Sequence, residues 1–260
     1  MDFGQRSAFE TANYDITVTL ANIKYQIRNL ARWMRIRKRS VPLHLMPGRA
    51  RIVPQPMGEL GVISPWNFPV FLTFSPAASI FAAGNQIMHK HSEYTEQTSL
   101  LLKELCDSAF DEDEFATILG GPDVGASFTQ QKFDHLLYTG SGAVAKHIMK
   151  AAAENLVPVT LELGGKSPNI FFEDIMLEDD AFLSKCFEGF AMFAFNQGEV
   201  CTCPSRALVQ ESIYEKFMEK ALQRVANIKQ DNPLIADTAL GAQASVEQME
   251  KIKSYLDLGK

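Results

Sequence analysis

The stretch from His135 to Leu156, HLLYTGSGAVAKHIMKAAAENL, decides the fold class. His135–Thr139 is a short apolar run of strand type. Gly140-Ser141-Gly142 breaks it, and the alanine-rich segment that follows has the composition of a helix. Strand, glycine turn and helix in that order make one step of a β/α/β unit. The letters from Gly140 to Ala145 also satisfy G-x-G-x-x-A, where a helix N-terminus turns free N–H groups and a positive dipole end toward a pyrophosphate. A tight strand-to-helix turn without a ligand gives the same letters, so the motif alone leaves both readings open.

Working outward, Leu60–Ser64, Gln86–Lys90 and Phe115–Leu119 read as further strands. Between them, Phe71–Ala83 has helical length and meets a stop signal at Gly84-Asn85, and Thr95–Phe110 has leucines at helical spacing. Gly120-Gly121-Pro122 reads as a turn. Strands alternating with helices predict an α/β, Rossmann-like parallel sheet with helices on both faces. Near the N-terminus, Ile16, Leu20, Ile23, Ile27, Leu30 and Trp33–Met34 predict an amphipathic helix over Asp15–Met34, one face of which must dock on something. Prolines 42, 47, 54 and 56 then exclude a long helix, and Arg49–Pro56 reads as an edge-type strand. Beyond the sheet, helices are expected over 178–195 and Ala244–Leu258 and a strand over Ser205–Gln210. A long helix is expected to start at Ser212, with Glu215 completing a capping box.

At 260 residues and 46% hydrophobic content the chain can bury a sizeable core. It has no apolar run of eighteen residues and no basic-then-apolar leader pattern, so neither a membrane nor secretion is expected and the default compartment is cytoplasmic. The net charge of −6 hides nine Lys or Arg and no acid between Ile16 and Gly58. Within that region RWMRIRKR (Arg32–Arg39) interleaves apolar residues with its charges, which favours a solvated helix end or subunit-facing surface over a nucleic-acid patch. The four cysteines lack C-x-x-C spacing and the five histidines do not cluster near them, so no metal and no structural disulfide are expected.

Three further stretches carry the chemistry. FNQGEVCTCPSR (Phe195–Arg206) puts Cys201 on a turn after an apolar helical segment, either as a structural cysteine or as a nucleophile. VTLELGGKSPNI holds Glu162 in an apolar strand, either a general base or a paired buried acid. GVISPWNFPV places Asn67 after a strand, as a turn former or an oxyanion donor. Taken in chain order, PWNFP, LELGGKSP and FNQGEVC, with an AGN…K-x-S-E segment between the first two, resemble the NAD(P)-dependent aldehyde dehydrogenase superfamily.

That resemblance implies NAD-dependent oxidation of an aldehyde to a carboxylic acid, with Cys201 as nucleophile, Asn67 as oxyanion donor and Glu162 as base for thioester hydrolysis. It implies cofactor contacts at Trp66, Lys90, Glu93, Gly121, Gly125, Gly140, Ser141, Val144 and Leu163, with Glu93 favouring NAD over NADP. Residues 1–164 are then a dinucleotide-binding domain, with 49–56 as an oligomerisation strand, and 165–260 the incomplete start of an α/β catalytic domain. A homo-oligomer is implied for the full-length form. The first part resembles the coniferyl-aldehyde branch and the part after Pro168 the bacterial acetaldehyde and short-chain branch, so the expected substrate is an aromatic or a short aliphatic aldehyde. The chain is roughly half a typical member and lacks the E-x-F-G-P segment. Its local departures are His91, where the family's K-P-[SA]-E has proline, and Ala145 in place of glycine. The alternative is a non-catalytic remnant that keeps dinucleotide binding or a protein-interaction role. A cofactor-free cysteine hydrolase is disfavoured because no histidine neighbours Cys201.

Overall fold

The computed structural model describes residue 2, residues 6–177 and residues 181–259. In chain order its helices are α1 (Ala8–Glu10), α2 (Val18–Trp33), α3 (Pro69–Ala82), α4 (Glu96–Ala109), α5 (Pro122–Thr129), α6 (Gly142–Glu154), α7 (Ala181–Ala191), α8 (Tyr214–Ala226) and α9 (Val246–Leu258). Its strands are β1 (Arg37–Arg39), β2 (Ala50–Ile52), β3 (Glu59–Ile63), β4 (Gln86–Lys90), β5 (Phe115–Ile118), β6 (His135–Gly140), β7 (Val159–Leu163), β8 (Ser167–Phe171) and β9 (Pro204–Val209). The residues form two compact units, Asn13–Glu162 and Met1–Ala12 with Leu163–Lys260.

The first unit carries the expected sheet, in the order β5-β4-β3-β6-β7 with parallel pairing from β5 through β6. Strand alternation sends Leu136 and Tyr138 to one face, where they bury Ala145, Ile148 and Ala152 of α6 and Phe128 of α5. The opposite pleat sends Leu60, Val62, Ile87 and Phe115 against Ala77 and Ile80 of α3 and Cys106 of α4. Both faces are therefore covered, which is why these strands carry apolar residues on both pleats. The chain builds β3, β4 and β5 to one side and then returns to place β6 on the other, so the strand order reverses between β3 and β6.

Four readings need correction. The predicted N-terminal helix exists, entering through a π-helical stretch at Thr11–Thr17, but its apolar stripe is not its buried side: Ile16, Leu20 and Ile27 are exposed and Ile23 and Leu30 half-buried, while Thr19 and Gln26 are buried. Hydrogen bonds decide the docking side, with Gln26 Nε2 donating to the Ser75 carbonyl of α3 at 3.4 Å. The basic run is not all helix end, because Arg37–Arg39 forms an exposed strand paired antiparallel with Ala50–Ile52. The segment after Gly120-Gly121 is a helix, α5, started by Pro122 in the first turn where a missing N–H costs nothing. The capping box at Ser212 does not form: Ser212 Oγ donates to Glu173 Oε2 at 2.7 Å, and α8 begins at Tyr214.

The second unit packs α7 and α8 on the parallel pair β8–β9, around the rings of Phe171, Phe187, Phe190 and Phe217. Strand β8 was not expected, since Pro168 and Asn169 hide it; the proline lies at an irregularity in the register, where it breaks no ladder. Of the helix expected over 178–195, residues 178–180 lie outside the described residues, and regular helix runs only over Ala181–Ala191.

Candidate active site

Ligands of open parallel sheets bind beyond the carboxyl ends of the strands, at the point where strand order reverses. In the first unit that point lies between β3 and β6, and the predicted residues follow these carboxyl ends. Trp66 and Asn67 come after β3, Lys90 ends β4 with Glu93 just beyond, Gly121 and Gly125 follow β5, and Gly140, Ser141 and Val144 lie at the β6–α6 turn. Glu162 is the last residue of this unit and is exposed, which excludes the reading of a paired buried acid. Leu163, also exposed, and Cys201 belong to the second unit.

Trp66 and Asn67 are half-buried just ahead of α3. That helix has Phe68 at its N-cap with no side-chain cap of its own. Asp15, fully buried, accepts from the Phe71 N–H at 2.5 Å and so takes a first-turn donor. A carboxylate fifty-six residues away thus anchors the turn that carries Asn67.

The two expected ribose ligands meet each other. Lys90 is buried, with Nζ 3.5 Å from Glu93 Oε2 and 2.6 Å from the His91 carbonyl oxygen, and burial pulls its ammonium pKa down. Glu93 stays partly exposed and, with His91, Ser99 and Gly121, walls a cleft of about 290 Å³. At Gly121, at Gly125 within α5 and at Gly142 at the start of α6, an added Cβ would meet nothing within 4 Å, so these positions face open space. Gly140 differs, because a Cβ there would run into the Tyr138 ring, with Oη at 2.2 Å. Its glycine is required by packing within the unit. Ser141 Oγ accepts from the Val144 N–H at 3.3 Å, so the N-cap serine occupies one of the α6 donors.

In the second unit the chain leaves α7 through three successive left-handed residues, Asn196, Gln197 and Gly198, with φ of 45°, 57° and 79°. Two of these are not glycine, and such conformations persist only where surroundings hold them. Here Glu10 Oε1 accepts from the Asn196 N–H at 3.0 Å, Glu199 Oε1 accepts from the Ala244 N–H at 3.0 Å, and Gln243 Nε2 donates to the Gln197 carbonyl at 3.0 Å. Burial raises the pKa of both carboxyls, that of Glu199 to about 7. The turn so held delivers Cys201 to solvent, while Cys203 donates its S–H to the Met192 carbonyl at 3.0 Å. Glu10 and Glu199 escaped the sequence reading because their partners are distant in the chain.

The four thiols therefore differ. Cys106 is fully buried, with its pKa pushed up to about 11 by burial, and burial raises that of Cys203 as well. Limited iodoacetamide treatment followed by peptide mapping is expected to label Cys201 first and Cys106 last. First labelling at Cys106 or Cys186 would contradict the site.

The family model described as the aldehyde dehydrogenase family matches residues 4–260. The chain is 51% identical over 208 residues to acetaldehyde dehydrogenase 2 of Cupriavidus necator, covering 79% of this chain and 41% of that protein. It thus spans about two fifths of the length of such curated relatives. Among solved structures, the aldehyde dehydrogenase KauB from Pseudomonas aeruginosa superposes with a TM-score of 0.87 at 29% identity, over 97% of this chain and 50% of that one. PnpE in complex with nicotinamide adenine dinucleotide gives a TM-score of 0.84 at 28% identity, over 97% and 50% respectively.

Proposed function

Because the chain belongs to the aldehyde dehydrogenase family, we propose that it carries out the NAD-dependent oxidation of an aldehyde to a carboxylic acid, with Cys201 as the nucleophile. The observation that carries this reading is the exposed Cys201 thiol at the end of a turn whose left-handed residues are fixed by buried carboxylates. A structural cysteine has no need of that arrangement.

NAD fits the residues at the strand ends. The open space beside Gly121, Gly125 and Gly142 leaves room for a dinucleotide backbone, and the amides of the α6 first turn face the same edge. Glu93 and Lys90 would hold the adenine ribose, where the Glu93 carboxylate accepts from a 2′-hydroxyl and repels a 2′-phosphate. Trp66, Val144 and Leu163 would supply apolar contact. When bound, NAD supplies a hydride acceptor.

The chain's own residues do the rest. The Cys201 thiolate adds to the aldehyde carbon, forming a C–S bond and leaving a tetrahedral oxyanion. The Asn67 side-chain amide and the Cys201 N–H donate to that oxygen. Once the carbon has lost hydride and become a thioester, Glu162 takes a proton from water, which attacks the acyl carbon and releases the Cys201 thiolate and the acid. The substrate is proposed to be a short aliphatic or an aromatic aldehyde, and a soluble, oligomeric, cytoplasmic enzyme is the corresponding setting. Among the described residues no helix is long and apolar enough to cross a membrane.

A second reading, a remnant that binds dinucleotide without catalysis, draws on the strand-end residues of the first unit, which by themselves would hold a dinucleotide. One assay separates the two. With acetaldehyde or an aromatic aldehyde and NAD, absorbance of the reduced cofactor is expected to grow with the wild-type protein and to vanish with Cys201→Ala. Growth unaffected by Cys201→Ala would remove the cysteine mechanism, and NAD binding without growth would favour the remnant.

A further inference from the structure

The turn from Lys90 to Glu93 contains an interaction for which the proposed mechanism has no use. His89 Nδ1 and His91 Nε2 lie 3.0 Å apart with their rings edge to face at 83°, and both side chains are buried. Two neutral imidazoles joined this way share one proton: one ring donates and the other accepts. Burial, with the Lys90 ammonium beside them, lowers both pKa values, that of His91 to about 4, so at neutral pH neither ring is charged and the bond can form.

The backbone of the turn is tied to its neighbours on either side of His91. The Lys90 carbonyl accepts from the Ser64 N–H at 3.2 Å, and the His91 N–H donates to the Ile118 carbonyl of β5 at 3.3 Å. The His91 carbonyl accepts from Lys90 Nζ, and the Ser92 carbonyl from Ser99 Oγ at 3.2 Å. His91 then forms part of the cleft wall with Glu93 and Glu96. Beside the backbone bond from the His91 N–H to Ile118, the imidazole pair ties the His91 side chain to the strand just before it.

We propose that the His89–His91 hydrogen bond positions the Lys90–Glu93 turn, and through it the carboxylate that selects the unphosphorylated adenine ribose. His89 and His91 are positioning residues here. The proposal rests on the reading of this turn as the ribose site, and the experiment separates the two. NAD and NADP are titrated by tryptophan fluorescence against the wild-type protein, His89→Leu, His91→Leu, the double variant, His89→Gln and Glu93→Gln, with hydrogen exchange of β6 amides as the control for folding.

Each single leucine variant is expected to raise the NAD Kd about tenfold and the NADP Kd less, with faster exchange of the 90–95 amides and unchanged β6 protection. The double variant should be no worse than either single one, because one bond is lost in all three. His89→Gln keeps a hydrogen-bonding amide and should stay within about threefold of wild type. If His89→Leu unfolds β6, the glutamine variant and the wild-type protein carry the test. Unchanged NAD affinity in Glu93→Gln overturns the ribose reading itself. Weakened NAD binding in Glu93→Gln with wild-type Kd values in the histidine variants overturns the positioning role, as does equal loss of NAD and NADP affinity in those variants.

Discussion

In the Glu162→Gln protein, reduced nicotinamide is expected to appear as a burst of one equivalent per active Cys201 and then nearly stop. Steady-state turnover should fall by about 10²–10⁴, the range of a lost general base. Thiolate addition and hydride loss need Cys201 and Asn67, whereas breaking the thioester needs a proton taken from water, so only the second half-reaction is cut. Glu162 is exposed, so the amide leaves no buried charge unpaired and the fold should not change. Asn67→Ala is the counterpart. It removes an oxyanion donor and should slow the burst itself by about 10²–10³. Stopped-flow traces in which Glu162→Gln keeps a wild-type steady state would refute this division of labour.

Between pH 7 and 5 the two units are expected to change stability in opposite directions. In the first unit, burial lowers the His91 pKa from 6.5 to about 4 and lowers that of His89 as well, so the unfolded chain binds more protons than the folded one in that window. Stability present above pH 6.5 is therefore lost as pH falls toward 4. In the second unit burial raises Glu199 from 4.5 to about 7, so there the folded state binds more protons. Its stability grows as pH falls from 7 toward 4.5. At 1.36 kcal/mol per pKa unit the His91 and Glu199 shifts are each on the order of 3 kcal/mol, a large share of a typical domain's total. Peptide-resolved hydrogen exchange, corrected for intrinsic rates, should show β3 and β6 losing protection on acidification while α7 and α8 gain it. Both units moving together would mean that burial does not govern these groups.

What could be read from the residues beforehand was whatever is local in the chain. The strands of the sheet, the β6–α6 turn and the β4 end with Lys90 and Glu93 came from periodicity, glycine turns and contiguous motifs. What could not be read depends on partners far away in sequence. Asp15 caps α3, and Glu10 holds Asn196 across 186 positions, yet neither carries a local signature. Spacing locates α2 but not which of its residues are buried, where Thr19 and Gln26, the latter bonded to the Ser75 carbonyl, lie deeper than Ile23 and Leu30. Helix α5 was missed because PDVGASFT is built of turn formers and is helical only in the context of the packed sheet. At Ser212 the capping letters were present, but Glu173 captured the hydroxyl.

The most direct test of the account is the mass of the protein caught between its two half-reactions. Glu162→Gln protein, mixed with aldehyde and NAD and quenched in acid after the burst, is expected to carry one acyl group, mapped by peptide sequencing to Cys201 and absent when NAD is omitted. Reduced cofactor formed with no adduct on Cys201, or an adduct carried by another cysteine, would contradict it.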